Sequence, residues 1–359
     1  SAAKGQTNEL TFQHLSNGQG LSHPNVHSIL QDGRGFVWFG TKSGLNFYDG
    51  SSVQSVEIKL ESKEAPTNLD VRALAEDNQG YVWIGTYDNG LLRLDPTTKQ
   101  AEVYNTQNTP ALATNTISHI HRDSKGNLWI ATFGGGLVRH DHATHRFSAH
   151  RSAPNGLNSD NIITIHEDRQ GSLWLGTFGG GLCKFEPESN RFAAYLAQDN
   201  TDIHAIEEDR AGNLWLGTYG KGLVCFDRKT GKTAYFSTAN TPDLESNYVR
   251  SLQEDASGRL WIGTEKGGGL SYFDPSTRRF YNFRQNLAKP GSIASDDINT
   301  LMLDRLGVLW IGTEGAGVNH FETQNAVFRT YRSSEGGIPA FTSGAVTAIY
   351  EDRARTVWI

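Results

Sequence analysis

The chain has 359 residues, of which 37% are hydrophobic, and it is rich in Gly, Phe, Tyr and Trp but has one Met. The net charge of -6 comes from scattered acidic and basic residues, without the basic clusters that favour phosphate backbones, so nucleic acid is excluded as the expected partner. No apolar run is long enough to cross a bilayer, and two cysteines form neither a disulfide framework nor a metal signature.

The chain opens with the segment 10–15, LTFQHL, which looks like the last strand of a sheet whose other strands are missing before it. A repeat follows, marked by eight tryptophans spaced 41 to 49 residues apart: Trp38, Trp83, Trp129, Trp174, Trp215, Trp261, Trp310 and Trp358. A period of this length is typical of one four-stranded blade of a β-propeller.

Fixed positions around each tryptophan predict the strands of one repeat. Six residues before it is always Asp, three before is Gly in the first seven repeats (Arg355 in the eighth), and three after is Thr wherever the chain reaches that far. Asp-x-x-Gly between two β-rich runs indicates a tight hairpin. We therefore predict strand a (Val26-to-Leu30 type), strand b (Val37 to Thr41), strand c (Leu91 to Asp95) and strand d (Ala101 to Tyr104).

Blades joined in a ring would bury each indole against the neighbouring blade. We predict an all-β, seven-bladed propeller over residues 10–326, in which the N-terminal segment supplies the last strand of the seventh blade. Residues 327–359 repeat the opening pattern and are predicted to be the first strands of an eighth repeat, at the start of a second propeller. An eight-bladed ring is the alternative.

The repeat resembles the two-component regulator propeller repeat, V-x-[small]-I-x-x-D-x-x-G-x-[LV]-W-[ILF]-G-T-x-x-x-G-L. It stands here as VRALAEDNQGYVWIGTYDNGL and IITIHEDRQGSLWLGTFGGGL. The resemblance implies a periplasmic sensor region of a bacterial signalling protein, ahead of a membrane span and a histidine kinase or diguanylate cyclase outside this chain. It also implies reception of a small polar ligand, often an oligosaccharide, and signalling as a homodimer.

Strand parity places the b–c and d–a loops on one face, and these loops vary between repeats, so we expect the ligand there. The residue after the repeated Thr is aromatic in four successive blades and acidic in two. The position eleven before Trp is polar in most blades. The predicted ligand-binding residues are Tyr87, Phe133, Phe178, Tyr219, Glu265, Glu314, Arg72, His204 and Arg250. Aromatic walls with a few polar groups suit sugar rings.

Two other functions stay open at this point. One is a propeller lyase with a histidine and a metal in the channel, for which His204 and His27 are candidates. The other is a protein-interaction platform. His119 with His121, and His140 with His142, have a spacing that would suit a metal, but no third ligand shares a motif with either pair. No catalytic residue, cofactor or metal is therefore predicted.

Overall fold

The computed structural model describes residues 10–60, 69–154, 156–197 and 201–323, and the backbone of two short strands near the C-terminus. Residues 1–323 form one compact unit and residues 324–359 a second. The first unit is an all-β propeller of seven four-stranded antiparallel blades, as predicted. A 3-10 turn, Asn17–Gln19, links the first strand, Gln13–Leu15, to the first blade.

The strands have the order a, b, c, d from the channel outward, and blades are numbered along the chain from residue 26. The a strands are Val26–Gln31, Val71–Glu76, Ile117–Arg122, Ile162–Glu167, Ile203–Glu208, Val249–Glu254 and Ile298–Leu303. The b strands are Val37–Thr41, Val82–Thr86, Leu128–Thr132, Leu173–Thr177, Leu214–Thr218, Leu260–Thr264 and Val308–Thr313. The c strands are Gly44–Tyr48, Leu91–Leu94, Leu137–His140, Leu182–Glu186, Leu223–Phe226, Leu270–Asp274 and Val318–Glu322. The d strands of blades 1 to 6 are Val53–Ser55, Gln100–Tyr104, Phe147–His150, Arg191–Tyr195, Thr233–Phe236 and Arg279–Phe283.

The N-terminal strand Gln13–Leu15 closes the ring, as predicted. It pairs antiparallel with the c strand of blade 7, with Gln13 opposite His320 and Leu15 opposite Val318. Neighbouring a strands contact each other at all seven blade interfaces, which sets them around a common axis. Blade 2 carries an additional strand, Lys59–Leu60, which runs parallel to Gln100–Ala101 at its outer edge.

Each of the first seven tryptophans is buried between its own blade and the next one. Trp83 packs with Ile117, Ile120 and Leu128 of blade 3, and the other six interfaces repeat the arrangement. The indole Nε1 donates a hydrogen bond of 2.7–3.0 Å to the Asp six residues earlier in all seven blades. The other oxygen of that carboxylate accepts backbone N–H groups of the a–b turn, as Asp77 does from Gln79 and Tyr81.

The repeated Thr shapes the opposite end of the blade. Its hydroxyl donates to the carbonyl of the glycine that ends the b–c loop, at 2.7–2.9 Å in all seven blades. That glycine has a left-handed backbone in blade 3, where Gly136 has φ 74° and a Cβ would lie 2.2 Å from the His150 carbonyl oxygen. Asp, Trp, Thr and Gly are therefore scaffold residues, and they hold two variable loops per blade.

The second unit contains the strands Tyr350–Glu351 and Val357–Trp358, which pair antiparallel. The predicted strand from Phe328 to Tyr331 and most of the segment from Val346 to Ile359 lie outside the described residues. The assignment of residues 327–359 to a further repeat stays a prediction. No helix among the described residues combines the length and apolar character that a membrane span requires.

Candidate functional site

The b–c and d–a loops meet on one face, and the same backbone hydrogen bond joins them in every blade. The N–H of the residue after the repeated Thr donates to the carbonyl of the residue just before strand a, at 2.9–3.1 Å. Each blade therefore presents two neighbouring variable positions. The repeat pattern predicted the first set but not the second, which consists of Asn25, Asp70, Thr116, Asn161, Asp202, Tyr248 and Asp297.

A third variable position is set by a β-bulge. The register of the a–b pair shifts by one residue near the start of strand a in all seven blades. The residue left without a partner is the one eleven positions before Trp: His27, Arg72, Ser118, Ile163, His204, Arg250 and Asn299. A bulge changes the direction in which side chains point. The alternation of apolar and polar residues in the sequence does not reveal its position.

The four predicted aromatic residues are exposed on this face. Tyr87 is 54% exposed, Phe178 49%, Phe133 44% and Tyr219 38%, values that are high for rings in a folded domain. Phe133 and Phe178 meet edge to face, with centroids 5.8 Å apart. Tyr87 lies beside Arg72, and Tyr219 contacts the rings of His204 and Tyr248.

A pocket of about 410 Å³ opens at the mouth of the channel, and blades 6, 7, 1 and 2 form its wall. It contains four of the predicted residues, Arg72, Arg250, Glu265 and Glu314. The rest of its lining is Asn25, His27, Lys42, Lys266, Asp297 and Asn299. The predicted His204 and the four aromatic rings are outside this lining.

Arg250 organises the wall at blade 6. Its Nη1 lies 3.1 Å from Nδ1 of His204, and its Nε lies 3.3 Å from a carboxylate oxygen of Glu265. His204 stacks on Tyr219 with centroids 5.1 Å apart. Burial, together with the Arg250 charge, lowers the pKa of His204 to about 3. Its imidazole is therefore neutral near pH 7, and Nδ1 can accept a hydrogen bond from the Arg250 guanidinium.

Lys266 completes this wall and was not among the residues predicted from the sequence. Its Nζ lies 3.6 Å from the ring centroid of Tyr248 and 5.2 Å from that of Tyr219. The interaction with the Tyr248 side chain raises the pKa of Lys266. Lys266 lies two residues after the repeated Thr, one position beyond the residue whose type differs clearly between repeats.

Blades 1 and 2 form a second cationic wall. Arg72 Nη2 lies 2.6 Å from Asp70, and its guanidinium carbon lies 5.2 Å from the ring centroid of Tyr87. His27 Nε2 lies 3.6 Å from the other Asp70 oxygen. Burial, with a smaller effect of Arg72, lowers the pKa of His27 to about 4, which makes this imidazole neutral as well.

Blade 7 contributes carboxylate and amide groups. Glu314 accepts a hydrogen bond from Asn299 at 2.9 Å and another from the Asn25 side chain. The Asn25 side-chain oxygen accepts the Gly315 N–H at 3.1 Å. The structure thus brings Arg72, Arg250, Glu265 and Glu314 into one pocket, with Tyr87, Tyr219 and His204 beside it. Phe133 and Phe178 belong to blades 3 and 4, which do not line the pocket.

The histidine pairs with metal-like spacing serve packing. His119 is partly buried, and its Nδ1 accepts the Ile165 N–H at 3.1 Å across a blade interface. His140 packs on Trp83 at 4.8 Å between ring centroids. In the part of the chain that the structure describes, no group of three or more His, Cys, Asp or Glu residues is arranged to hold a metal ion.

Seven segments match the family model described as two component regulator propeller: 20–43, 66–88, 111–134, 156–179, 197–220, 243–266 and 292–315. They recur once per blade and include the a–b hairpin and its tryptophan. The chain belongs to the two-component regulator propeller family.

This two-component regulator propeller is similar in structure to extracellular domains of bacterial two-component systems. The extracellular domain of a hybrid two-component system from B. thetaiotaomicron is 27% identical, with a TM-score of 0.76 over 98% of this chain and 46% of its own. A second extracellular domain from the same organism matches at 22% identity and a TM-score of 0.71, over 86% of this chain and 39% of its own. The chain spans less than half the length of either of these extracellular domains.

The propeller of a virginiamycin B lyase from Staphylococcus aureus also superposes, at 14% identity and a TM-score of 0.68 over 87% of this chain and 99% of its own. At that identity, the likeness concerns the fold alone. The search of curated proteins found no match.

Proposed function

We propose that this two-component regulator propeller is the extracytoplasmic ligand-sensing region of a bacterial signal-transduction receptor, in the periplasm, and that it binds a small polar, oligosaccharide-like ligand on the b–c/d–a loop face. One observation carries the proposal: a uniform scaffold presents a pocket at the channel mouth that is flanked at both ends by cation–aromatic pairs. These pairs are Arg72 with Tyr87 and Lys266 with Tyr248.

The chemistry of this face suits sugars. Exposed rings such as Tyr87 and Tyr219 offer flat apolar surfaces for pyranose rings, and the charged groups between them offer hydrogen bonds that fix orientation. A receptor of this design transmits binding through segments outside this chain, and we include a homodimer in the proposal because such receptors signal by association.

Calorimetric titration of the chain with a panel of neutral and acidic oligosaccharides tests the proposal. We expect one of them to bind, and Tyr87→Ala and Tyr219→Ala to weaken it about 2- to 10-fold by removing a stacking surface. Tyr235→Ala is the control, because this ring is 42% exposed but lies on the outer strand of blade 5. Binding that is indifferent to both face variants, or absent across the panel at millimolar concentration, contradicts the proposal.

A propeller lyase is the second candidate, because His27 lines the pocket and the fold is shared with a lyase. Efficient general bases have pKa values near the working pH. Those of His27 and His204 are lowered to about 4 and about 3, so they are weak bases, which favours binding over turnover. Product formation from a polysaccharide or cyclic ester that His27→Ala abolishes would reverse this preference.

A further inference from the structure

The acidic groups of the pocket already have hydrogen-bond donors. Both oxygens of Glu314 are occupied by the amides of Asn25 and Asn299. Glu265 is paired with Arg250, and Asp297 accepts the Gly267 N–H at 2.8 Å. Each of these carboxylates therefore has at least one donor within the protein.

The basic groups, in contrast, keep unused donors. The Lys42 side chain is exposed and has no hydrogen bond or ion pair with any described residue. The Nε of Arg72 is buried and has no hydrogen-bond partner in the part of the chain that the structure describes, while Nη2 of the same guanidinium contacts Asp70. A buried donor without a partner carries a desolvation cost that a bound acceptor removes.

The position of the unused donors restricts the ligand further. Lys42 belongs to blade 1 and Arg72 to blade 2, and both line the same pocket. Arg72 also lies over the ring of Tyr87, which is half exposed. An acceptor bound between Lys42 and Arg72 would therefore have an aromatic surface next to it.

We propose that the channel-mouth pocket binds the anionic group of an acidic oligosaccharide, a carboxylate or a sulfate, between Lys42 and Arg72, with an adjoining sugar ring over Tyr87. The inference rests on the proposed function and specifies its ligand. Hydrogen bonds from ionised donors to oxyanions are stronger than those to neutral hydroxyls, so the charge of the ligand should dominate its affinity.

The test compares ligands that differ only in charge. The chain is titrated with trigalacturonate and with its fully methyl-esterified form, and in a parallel arm with a sulfated galactose trisaccharide and its unsulfated counterpart. We expect at least one acidic member to bind about tenfold more tightly than its neutral partner, as one charge-assisted hydrogen bond would give. The arm that shows the difference identifies carboxylate or sulfate as the recognised group.

Two variants locate the anion. Lys42→Gln should weaken the acidic ligand about tenfold and the neutral partner much less. Arg72→Lys should show the same difference, because lysine keeps the charge but loses the Nε donor. Lys229→Gln is the matched control: it removes one exposed lysine from a c–d turn, at the opposite end of the blades.

The outcomes separate this inference from the proposed function. Equal affinity for acidic and neutral partners overturns the anion site but supports a sugar sensor. Unchanged acid binding in Lys42→Gln and Arg72→Lys overturns the pocket as its location. If the galacturonate monomer binds as tightly as the trimer, the anion site is supported but the ligand need not be an oligosaccharide. No binding by any member overturns both.

Discussion

Arg250 donates to His204 at the channel mouth, with 3.1 Å between Nη1 and Nδ1. The contact joins equivalent bulge positions of blades 5 and 6, so the guanidinium of one blade adds to the effect of burial on an imidazole of the preceding blade. Burial is the larger cause of the lowered pKa of His204 and the Arg250 charge the smaller one.

Replacing Arg250 with Gln should raise the pKa of His204 while leaving it below 6.5, because burial remains. Titration of the His204 ring protons by NMR measures this directly. Arg284→Gln, which removes an exposed arginine paired with Glu245 and Asp296, should leave the value unchanged. A His204 pKa unaffected by Arg250→Gln would mean that the guanidinium charge does not act on the ring.

Several buried histidines make the fold sensitive to acid. Burial lowers the pKa of His119 and His204 to about 3 and that of His27, His140 and His166 to about 4, whereas an unfolded histidine titrates near 6.5. The unfolded chain therefore binds more protons below pH 6.5. Each such group removes up to about 1.4 kcal/mol from the free energy of unfolding per pH unit, down to its folded pKa.

We expect the urea midpoint to fall from pH 7 to pH 5. Glu207 acts in the opposite direction, because burial raises its pKa to about 7 and its ionisation costs stability above the unfolded value. His119→Gln should flatten the pH dependence, and replacement of the exposed His142 by Gln should not. A midpoint that is constant between pH 7 and pH 5 would contradict neutral, buried imidazoles.

Arg228 ties two blades through buried carboxylates. Its Nη1 lies 2.6 Å from Asp168, whose side chain is inaccessible, and its Nη2 contacts Glu208, which is 5% exposed. Because removal of one partner leaves buried charges uncompensated, Arg228→Met should lower the free energy of unfolding by about 3–5 kcal/mol. Denaturant unfolding measures the loss.

Lys184→Met is the matched control, since its partner Glu186 is 46% exposed. Ion pairs in such positions contribute about 0–1 kcal/mol. If Arg228→Met costs no more than Lys184→Met, the buried network does not hold the two blades together.

The sequence predicted the propeller because each scaffold contact is local and repeated. Asp and Trp lie six residues apart and form the same hydrogen bond in all seven blades, so their regular spacing predicts this contact. The pocket was predicted only in part. Lys266 contacts Tyr219 of the preceding blade, which the local repeat does not encode. The bulge at Arg72 breaks the alternation by which strand faces are assigned, and Arg228 and Asp168 are 60 positions apart.

The Asp oxygens that accept the indole hydrogen bonds differ in how many other donors they have. The Asp304 oxygen that accepts the Trp310 N–H has no other partner among the described residues, whereas the corresponding Asp168 oxygen also binds Arg228. Trp310→Phe should therefore cost about 1 kcal/mol more than Trp174→Phe, since it leaves a carboxylate oxygen without a donor. Thermal and denaturant unfolding of the two variants make the comparison, and equal losses would show that the second donor is immaterial.

Closure of the ring depends on a short N-terminal segment, and Phe12 is its anchor. This ring is 4% exposed and packs edge to face on Phe321 at 5.0 Å and on Phe283 at 6.0 Å, while its N–H donates to the Gly291 carbonyl. Phe12→Ala should cost about 3–5 kcal/mol, because the cavity opens where blade 7 is completed. Hydrogen exchange should then increase first at Val318–Glu322, the strand that pairs with Gln13–Leu15. Deletion of residues 1–9, which leaves Phe12 in place, is the control. If amide exchange becomes faster to the same extent in all seven blades, the N-terminal strand does not stabilise blade 7 locally.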